Sequence, residues 1–200
     1  MKKAPGMVAT LCSFLLIAAA CGNDHQSGVL AGYHIEPSPM VGSLTVPDAA
    51  TGDEFTFVAP DGHLLVVYFG YTSCPDVCPT TLNEVRKALK VIGDNASRVD
   101  VAMVSVDPDR DSAELLDDYV KSFVDDAHAL RTDDAELLRQ VADGFGASYS
   151  VTENSAGDVE VTHSGNLYVV DDSGALVLQW PYGLTSKAIS NDLEILFDAP

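Results

Sequence analysis

The apolar positions of this chain follow two periods, and the switches between them lay out its elements. Phe55-Thr56-Phe57-Val58 alternates apolar and polar, Pro60-Asp61-Gly62 is turn chemistry, and Leu64 to Phe69 is an unbroken apolar run. That order predicts a hairpin feeding a fully buried central strand. Leu82, Val85, Leu89 and Ile92 then recur at helical spacing, and Val99 to Val106 has the character of a second core strand. Leu115, Leu116, Tyr119, Val120 and Phe123 mark another helix, opened by Ser112. A third runs from Asp133 to Phe145 with Leu137, Leu138 and Val141 inward. Asn166 to Val170, the turn Asp171-Asp172-Ser173-Gly174 and Ala175 to Trp180 predict a closing hairpin, and a last helix spans about Thr185 to Phe197. Strand–helix–strand–helix followed by a hairpin and a helix implies an α/β domain whose central mixed β-sheet is flanked by helices on both faces.

The first residues carry a different pattern. Lys2 and Lys3 precede an apolar run of fourteen residues, Met7 to Ala20, too short for a comfortable membrane span and suited to an export signal. The run ends in Ile17-Ala18-Ala19-Ala20-Cys21-Gly22, similar to a bacterial lipobox in which Cys21 is lipidated and becomes the mature N-terminus. Ala18 stands where a lipobox usually has leucine, and Ala18-Ala19-Ala20 also fits an ordinary cleavage site. Lipidation is the preferred expectation, because an exported protein rarely leaves an odd cysteine exposed. The expected organisation is a signal over residues 1–20, a flexible tether over 21–41, polar with Gly, Pro and Ser and no periodicity, and one domain over 42–200. The protein is then extracytoplasmic and anchored to a bacterial cell membrane.

Charge narrows the partners. Once Lys2 and Lys3 are removed with the signal, nine basic residues face thirty acidic ones, a net charge of −21. Such a chain repels phosphate backbones and anionic headgroups, so nucleic acid is excluded as a natural partner. The charge serves solubility or steers a cation or a basic protein. Nothing in the pattern calls for more than a monomer.

The chemistry concentrates in Tyr68-Phe69-Gly70-Tyr71-Thr72-Ser73-Cys74-Pro75-Asp76-Val77-Cys78-Pro79. Of four cysteines, Cys12 and Cys21 lie in or at the end of the signal, so the thiol chemistry of the domain belongs to Cys74 and Cys78. Thiolates are soft ligands suited to Cu(I), and two close thiols can also cycle through a disulfide. Pro75 and Pro79 disfavour the α region at both cysteines. Pro79 fits a first helical position, with Cys78 as the cap and Cys74 in the loop before it. Both sulfurs then lie near the positive end of a helix, which favours thiolate.

These residues resemble the copper-site motif of the Sco (SenC) family of copper chaperones. Val106-Asp107-Pro108-Asp109-Arg110-Asp111 is similar to the family's second signature, and Thr162-His163-Ser164 stands where the family has its copper-ligating histidine. Three motifs in the right order span roughly Val41 to Phe197, with Thr152 to Glu160 as a variable segment. The resemblance implies a thioredoxin-like fold that binds copper, as Cu(I) or Cu(II), through Cys74, Cys78 and His163. It also implies a role in assembling the dinuclear copper centre of cytochrome c oxidase, with that oxidase's copper-accepting subunit as partner. Two sulfurs and one nitrogen suit both oxidation states. Asp107 fits either a weak ligand or outer contact of the metal or a turn residue. His25 and His34 lie in the expected tether, and His63 and His128 have no comparable placement.

Two other classes compete. A thiol–disulfide reductase acting on the oxidase's copper-site cysteines would use Cys74 and Cys78 as a redox-active pair. Thioredoxin-type enzymes, however, have C-x-x-C and an opposing cis-proline, whereas this chain has three intervening residues and no proline between Pro108 and Pro181. A thiol peroxidase pattern has proline and threonine where this chain has Val67 and Tyr71. Structural zinc usually takes four protein ligands rather than three.

Overall fold

The computed structural model describes Met1 and residues 28–198. The expected signal, Cys12, Cys21 and His25 lie outside the described residues. Among those described, no helix is long and apolar enough to cross a membrane.

The centre is a five-stranded mixed sheet. β3 (Leu64–Gly70) pairs in parallel with β4 (Val99–Ser105), and β4 in parallel with β5 (His128–Leu130). On its other side β3 pairs antiparallel with β8 (Leu167–Val170), which pairs antiparallel with β9 (Leu176–Trp180), giving the order β5-β4-β3-β8-β9. Every residue of β3 is buried, as a central strand covered on both faces requires. Tyr68 and Phe69 therefore point to opposite faces. Phe69 packs edge-to-face with Phe145 and Tyr168, while Tyr68 lies on the side of the cysteines.

Four helices cover the sheet: α1 (Val77–Ile92), α2 (Ala113–Lys121), α3 (Ala135–Phe145) and α4 (Ser186–Asp198). α1 and α4 pack on each other, and α3 supplies Phe145 to the aromatic cluster on the opposite face. The helix starts follow local chemistry. Ser112 caps α2 by accepting the Leu115 N–H, and Asp134 caps α3 through the N–H groups of Glu136 and Leu137. α3 stops at Gly146, whose φ of 66° is left-handed and lets its N–H satisfy the last carbonyls of the helix.

Three features depart from expectation. Phe55 and its neighbours form no hairpin with the central strand. β2 (Glu54–Thr56) instead pairs with β1 (Thr45–Pro47) in a separate two-stranded ribbon. The Pro60–Gly62 turn therefore joins two sheets rather than two paired strands. A second ribbon, β6 (Tyr149–Glu153) with β7 (Val159–His163), occupies the segment that the pattern left without structure. Finally, part of the expected tether is bound to the domain. Tyr33 bridges Gln179 on β9, Met40 bridges Ala175, and Val41 is fully buried. The buried Asp192 carboxylate accepts the N–H groups of Ala31 and Gly32 together with Nε1–H of Trp180.

Candidate metal centre

β3 delivers the site. Its last residue, Gly70, opens into a loop in which the Cys74 N–H donates to the Tyr71 carbonyl, and α1 begins three residues later. The helix cap is Asp76, not Cys78; Cys78 is the second residue of α1 and Pro79 the third. Proline tolerates any first-turn position, because the N–H groups there have no partner within the helix. The loop thus closes two residues earlier than Pro79 alone suggests. Cys78 N–H donates to Cys74 Sγ at 3.3 Å.

His163 is the last residue of β7 and comes from a different part of the chain. Ser164 N–H donates to the Ser148 carbonyl and Ser148 N–H to Ser164 Oγ, which extends the pairing of the β6–β7 ribbon one residue past His163. The end of the ribbon brings the imidazole to the cysteine loop. The ligand atoms of Cys74, Cys78 and His163 all lie within 4.8 Å of one another, and they form the single such His/Cys/Asp/Glu group among the described residues. His163 Nδ1–H donates to the Ser164 carbonyl at 3.1 Å, which leaves Nε2 as the acceptor facing Cys78 Sγ at 3.5 Å. Tyr68 and Tyr71 hold the ring edge-on from two sides, with centroids 5.9 Å and 5.7 Å away.

The two thiols are unequal. Burial pushes the Cys78 thiol up to about 12, against the Tyr68 hydroxyl beside it. Burial also raises Cys74, but the Cys78 N–H and thiol, the Asp76 N–H and the Tyr71 hydroxyl outweigh it and hold Cys74 below the ordinary value of 9.0. The expectation that the helix end acidifies both sulfurs therefore holds for Cys74 alone. The N–H groups reach the loop sulfur, and Cys78 lies inside the core. Burial lowers His163, against the Ser164 and Phe69 carbonyls, and so favours the neutral imidazole that a ligand needs.

The second motif buttresses this loop rather than joining it. The buried Asp111 carboxylate accepts Oγ1–H of Thr72 at 2.5 Å, the Thr72 N–H at 3.2 Å and Oγ–H of Ser105 at 2.6 Å, fastening the cysteine loop to the end of β4. Asp107 behaves as a turn residue. Its carbonyl accepts the N–H groups of Arg110 and Asp111, its carboxylate takes Nε–H of Arg110, and it is outside the three-residue cluster. Asp111, Tyr68, Tyr71 and Ser164 are site residues that sequence reasoning passed over. A carboxylate closing a Ser105-to-Asp111 turn, and tyrosines flanking Gly70, are visible only as residue types until the fold brings them together. His34, His63 and His128 lie elsewhere. His34 Nδ1 faces the Val177 carbonyl, and His63 and His128 face Asp100 and Asp48.

Comparison with known proteins agrees with this geometry. Residues 38–198 match the model of the SCO1/SenC family. The chain is 32% identical over 183 residues to the mitochondrial SCO1 homolog 1 of Arabidopsis thaliana, covering 82% of this chain and 54% of that protein. It spans less than two thirds of the length of other curated relatives it matches. Among solved structures, apo Sco1 from Thermus thermophilus superposes with a TM-score of 0.72 at 29% identity, covering 84% of this chain and 97% of that one. Bradyrhizobium japonicum ScoI, solved with copper bound, gives 0.65 at 30% identity, covering 76% and 95%.

Proposed function

The chain belongs to the SCO1/SenC family, and from that premise we propose that it is a copper chaperone that binds the metal through Cys74, Cys78 and His163. The observation that carries this reading is the convergence of two sulfurs and one neutral imidazole nitrogen within 4.8 Å, from two separate stretches of chain. The donor chemistry fits: soft sulfur for Cu(I), with an added nitrogen that accommodates Cu(II). A relative at 30% identity has been solved with copper bound, which supports the same cargo here. Cys21 is the proposed lipid anchor on the outer side of a cell membrane, residues 1–20 the signal, and the domain a monomer. The proposed recipient is the copper-accepting subunit of cytochrome c oxidase, which the family resemblance supplies.

Anaerobic titration of the reduced domain tests the metal site. One Cu(I) per chain is expected, abolished by Cys74→Ser or Cys78→Ser, and transfer should follow on mixing with the copper-free copper domain of an oxidase subunit. Unchanged affinity in either serine variant moves the site elsewhere. Membrane partition that Cys21→Ser abolishes tests the anchor, and a wild-type protein exported without an acyl group refutes it.

One observation favours a second reading, thiol–disulfide reduction of the oxidase's copper-site cysteines. An outer thiol of lowered pKa beside a buried thiol of raised pKa is the arrangement of an attacking and a resolving cysteine. His163→Ala separates the two. Reductase activity needs only the sulfurs, whereas copper delivery loses its stable Cu(II) complex and the sulfur-to-copper absorption band. Normal oxidase activity in cells carrying His163→Ala at limiting copper decides for the reductase.

A further inference from the structure

Two hydroxyls beside the Cys78 sulfur are left without partners. Tyr68 Oη and Thr81 Oγ1 are both closed off from solvent, and neither makes a hydrogen bond. Native interiors keep few such groups, so each calls for a physical reason. Tyr68 has no freedom to find another partner: it is fully buried on β3, and its ring abuts His163. Its Cε1 lies 2.7 Å from where a Cβ on Gly70 would stand, and Cys78 Sγ lies 3.1 Å from that same point, so ring edge and sulfur share one small space. The polar neighbours of the Tyr68 hydroxyl are the Cys78 sulfur and the Thr81 hydroxyl.

A thiol sulfur is a weak acceptor, whereas an anionic sulfur accepts charge-assisted hydrogen bonds. The hydroxyl is thus idle beside the protonated thiol and gains a partner when that sulfur is ionised or bound to a metal. Thr81 has an alternative that Tyr68 lacks. A threonine in a helix can turn its hydroxyl to the carbonyl four residues back, while a phenol reaches only what lies at the end of its ring.

We propose that Tyr68 is a positioning residue whose O–H donates to the Cys78 sulfur when that sulfur carries negative charge, as it does on binding copper, and so withdraws electron density from the bond to the metal. The inference rests on the reading of Cys78 as a copper ligand. Hydrogen bonds to a ligating sulfur are one of the means by which a protein sets a metal's potential. Here the donor favours Cu(I) over Cu(II). Tyr71 is its outer counterpart, on the other side of the His163 ring with its hydroxyl beside Cys74.

Tyr68→Phe removes one oxygen and keeps the ring with all its apolar contacts, so the unfolding curve should match wild type. Two readouts are expected to move. The sulfur-to-Cu(II) band shifts to lower energy. The ratio of Cu(II) to Cu(I) affinity rises by roughly tenfold, the order expected for one hydrogen bond to a charged group. A third should stay. In copper-free protein Cys74 and Cys78 give two protons and two electrons to glutathione disulfide and form their own disulfide, and because the hydroxyl is idle beside the Cys78 thiol, that equilibrium should keep its wild-type position. Thr81→Val should leave all three readouts unchanged. A wild type that binds copper alongside a Tyr68→Phe variant with unchanged band and unchanged affinity ratio overturns the inference and leaves the copper site standing. Equal shifts from Thr81→Val reassign the donor and overturn it too, as does a glutathione equilibrium that Tyr68→Phe moves as far as it moves the copper readouts. If the wild type takes up no copper, the copper reading fails and the inference falls with it.

Discussion

Replacing Gly70 by alanine places one methyl group at the junction of strand, tyrosine and sulfur. Its Cβ would stand 2.7 Å from Tyr68 Cε1, 3.0 Å from Met103 Cε and 3.1 Å from Cys78 Sγ. Non-bonded carbons settle at about 3.5–4.0 Å, so each neighbour has to retreat by roughly half an ångström or more. Met103 can comply, because its Cε is the free end of a flexible chain. Tyr68 cannot, since its ring is enclosed between β3 and the His163 edge. Cys78 is fully buried in the first turn of α1, so its sulfur moves only with the backbone of that turn or by turning about one bond. Overpacking of this kind costs about 1–3 kcal/mol. The loss of unfolded-state freedom on replacing glycine returns about 0.4–1 kcal/mol. A net loss of about 1–2 kcal/mol remains, which lowers the melting temperature of a domain this size by about 3–6 °C. The displaced groups are a sulfur and its tyrosine, so Cu(I) affinity should fall along with stability. Urea unfolding of the copper-free protein, paired with competitive Cu(I) titration, measures both effects. A Gly70→Ala protein within about 0.3 kcal/mol of wild type and with equal copper affinity refutes the steric reasoning.

Three other perturbations test separate parts of the site. Asp111→Ala strips the acceptor from Thr72 and Ser105 and should cost about 2–4 kcal/mol in chemical unfolding, with Asp111→Asn recovering part of it; a neutral result denies that this carboxylate holds the cysteine loop. Iodoacetamide at pH 8 should label Cys74 well before Cys78 when mapped by mass spectrometry. The lowered Cys74 thiol ionises first as pH rises, and Cys78, pushed up to about 12, stays protonated and buried; equal rates contradict the asymmetry. Asp192→Ala releases the N–H groups of Ala31 and Gly32 and the Trp180 indole. Proteolysis between residues 28 and 41 should then accelerate and Trp180 fluorescence should change, while unaltered cleavage rules out the carboxylate as the clamp on this segment.

The elements that sequence alone determined are those whose patterning is strong over many residues. The central strand needs no tertiary information, since six apolar residues ending in glycine can only be buried on both faces. The helices follow in the same way, because Ser112 as a cap and apolar positions spaced for one face are local properties. Cys74 and Cys78 were equally legible, being four residues apart in the chain and framed by prolines.

What the pattern missed depends on partners distant in sequence. Phe55 and Phe57 alternate as a hairpin strand should, yet alternation says only that one face is buried, not which strand is beside it. β2 turned to β1 because of packing that residues 54–58 do not encode. The β6–β7 ribbon is short, largely exposed and rich in polar residues, so it leaves little hydrophobic signal. Residues 31–41 have no periodicity, since their order comes from the edge of β9 and from the Asp192 carboxylate. The site divides along the same line. Its candidate ligand types and the family they resemble are written in the chain. Which sulfur is acidic is not: burial of Cys78 opposes the helix end, and only packing determines which effect prevails at each thiol. The approach of His163 to Cys78, 85 residues apart, is likewise a property of the folded ribbon, because an imidazole becomes a neighbour of a thiol only when the chain between them has closed.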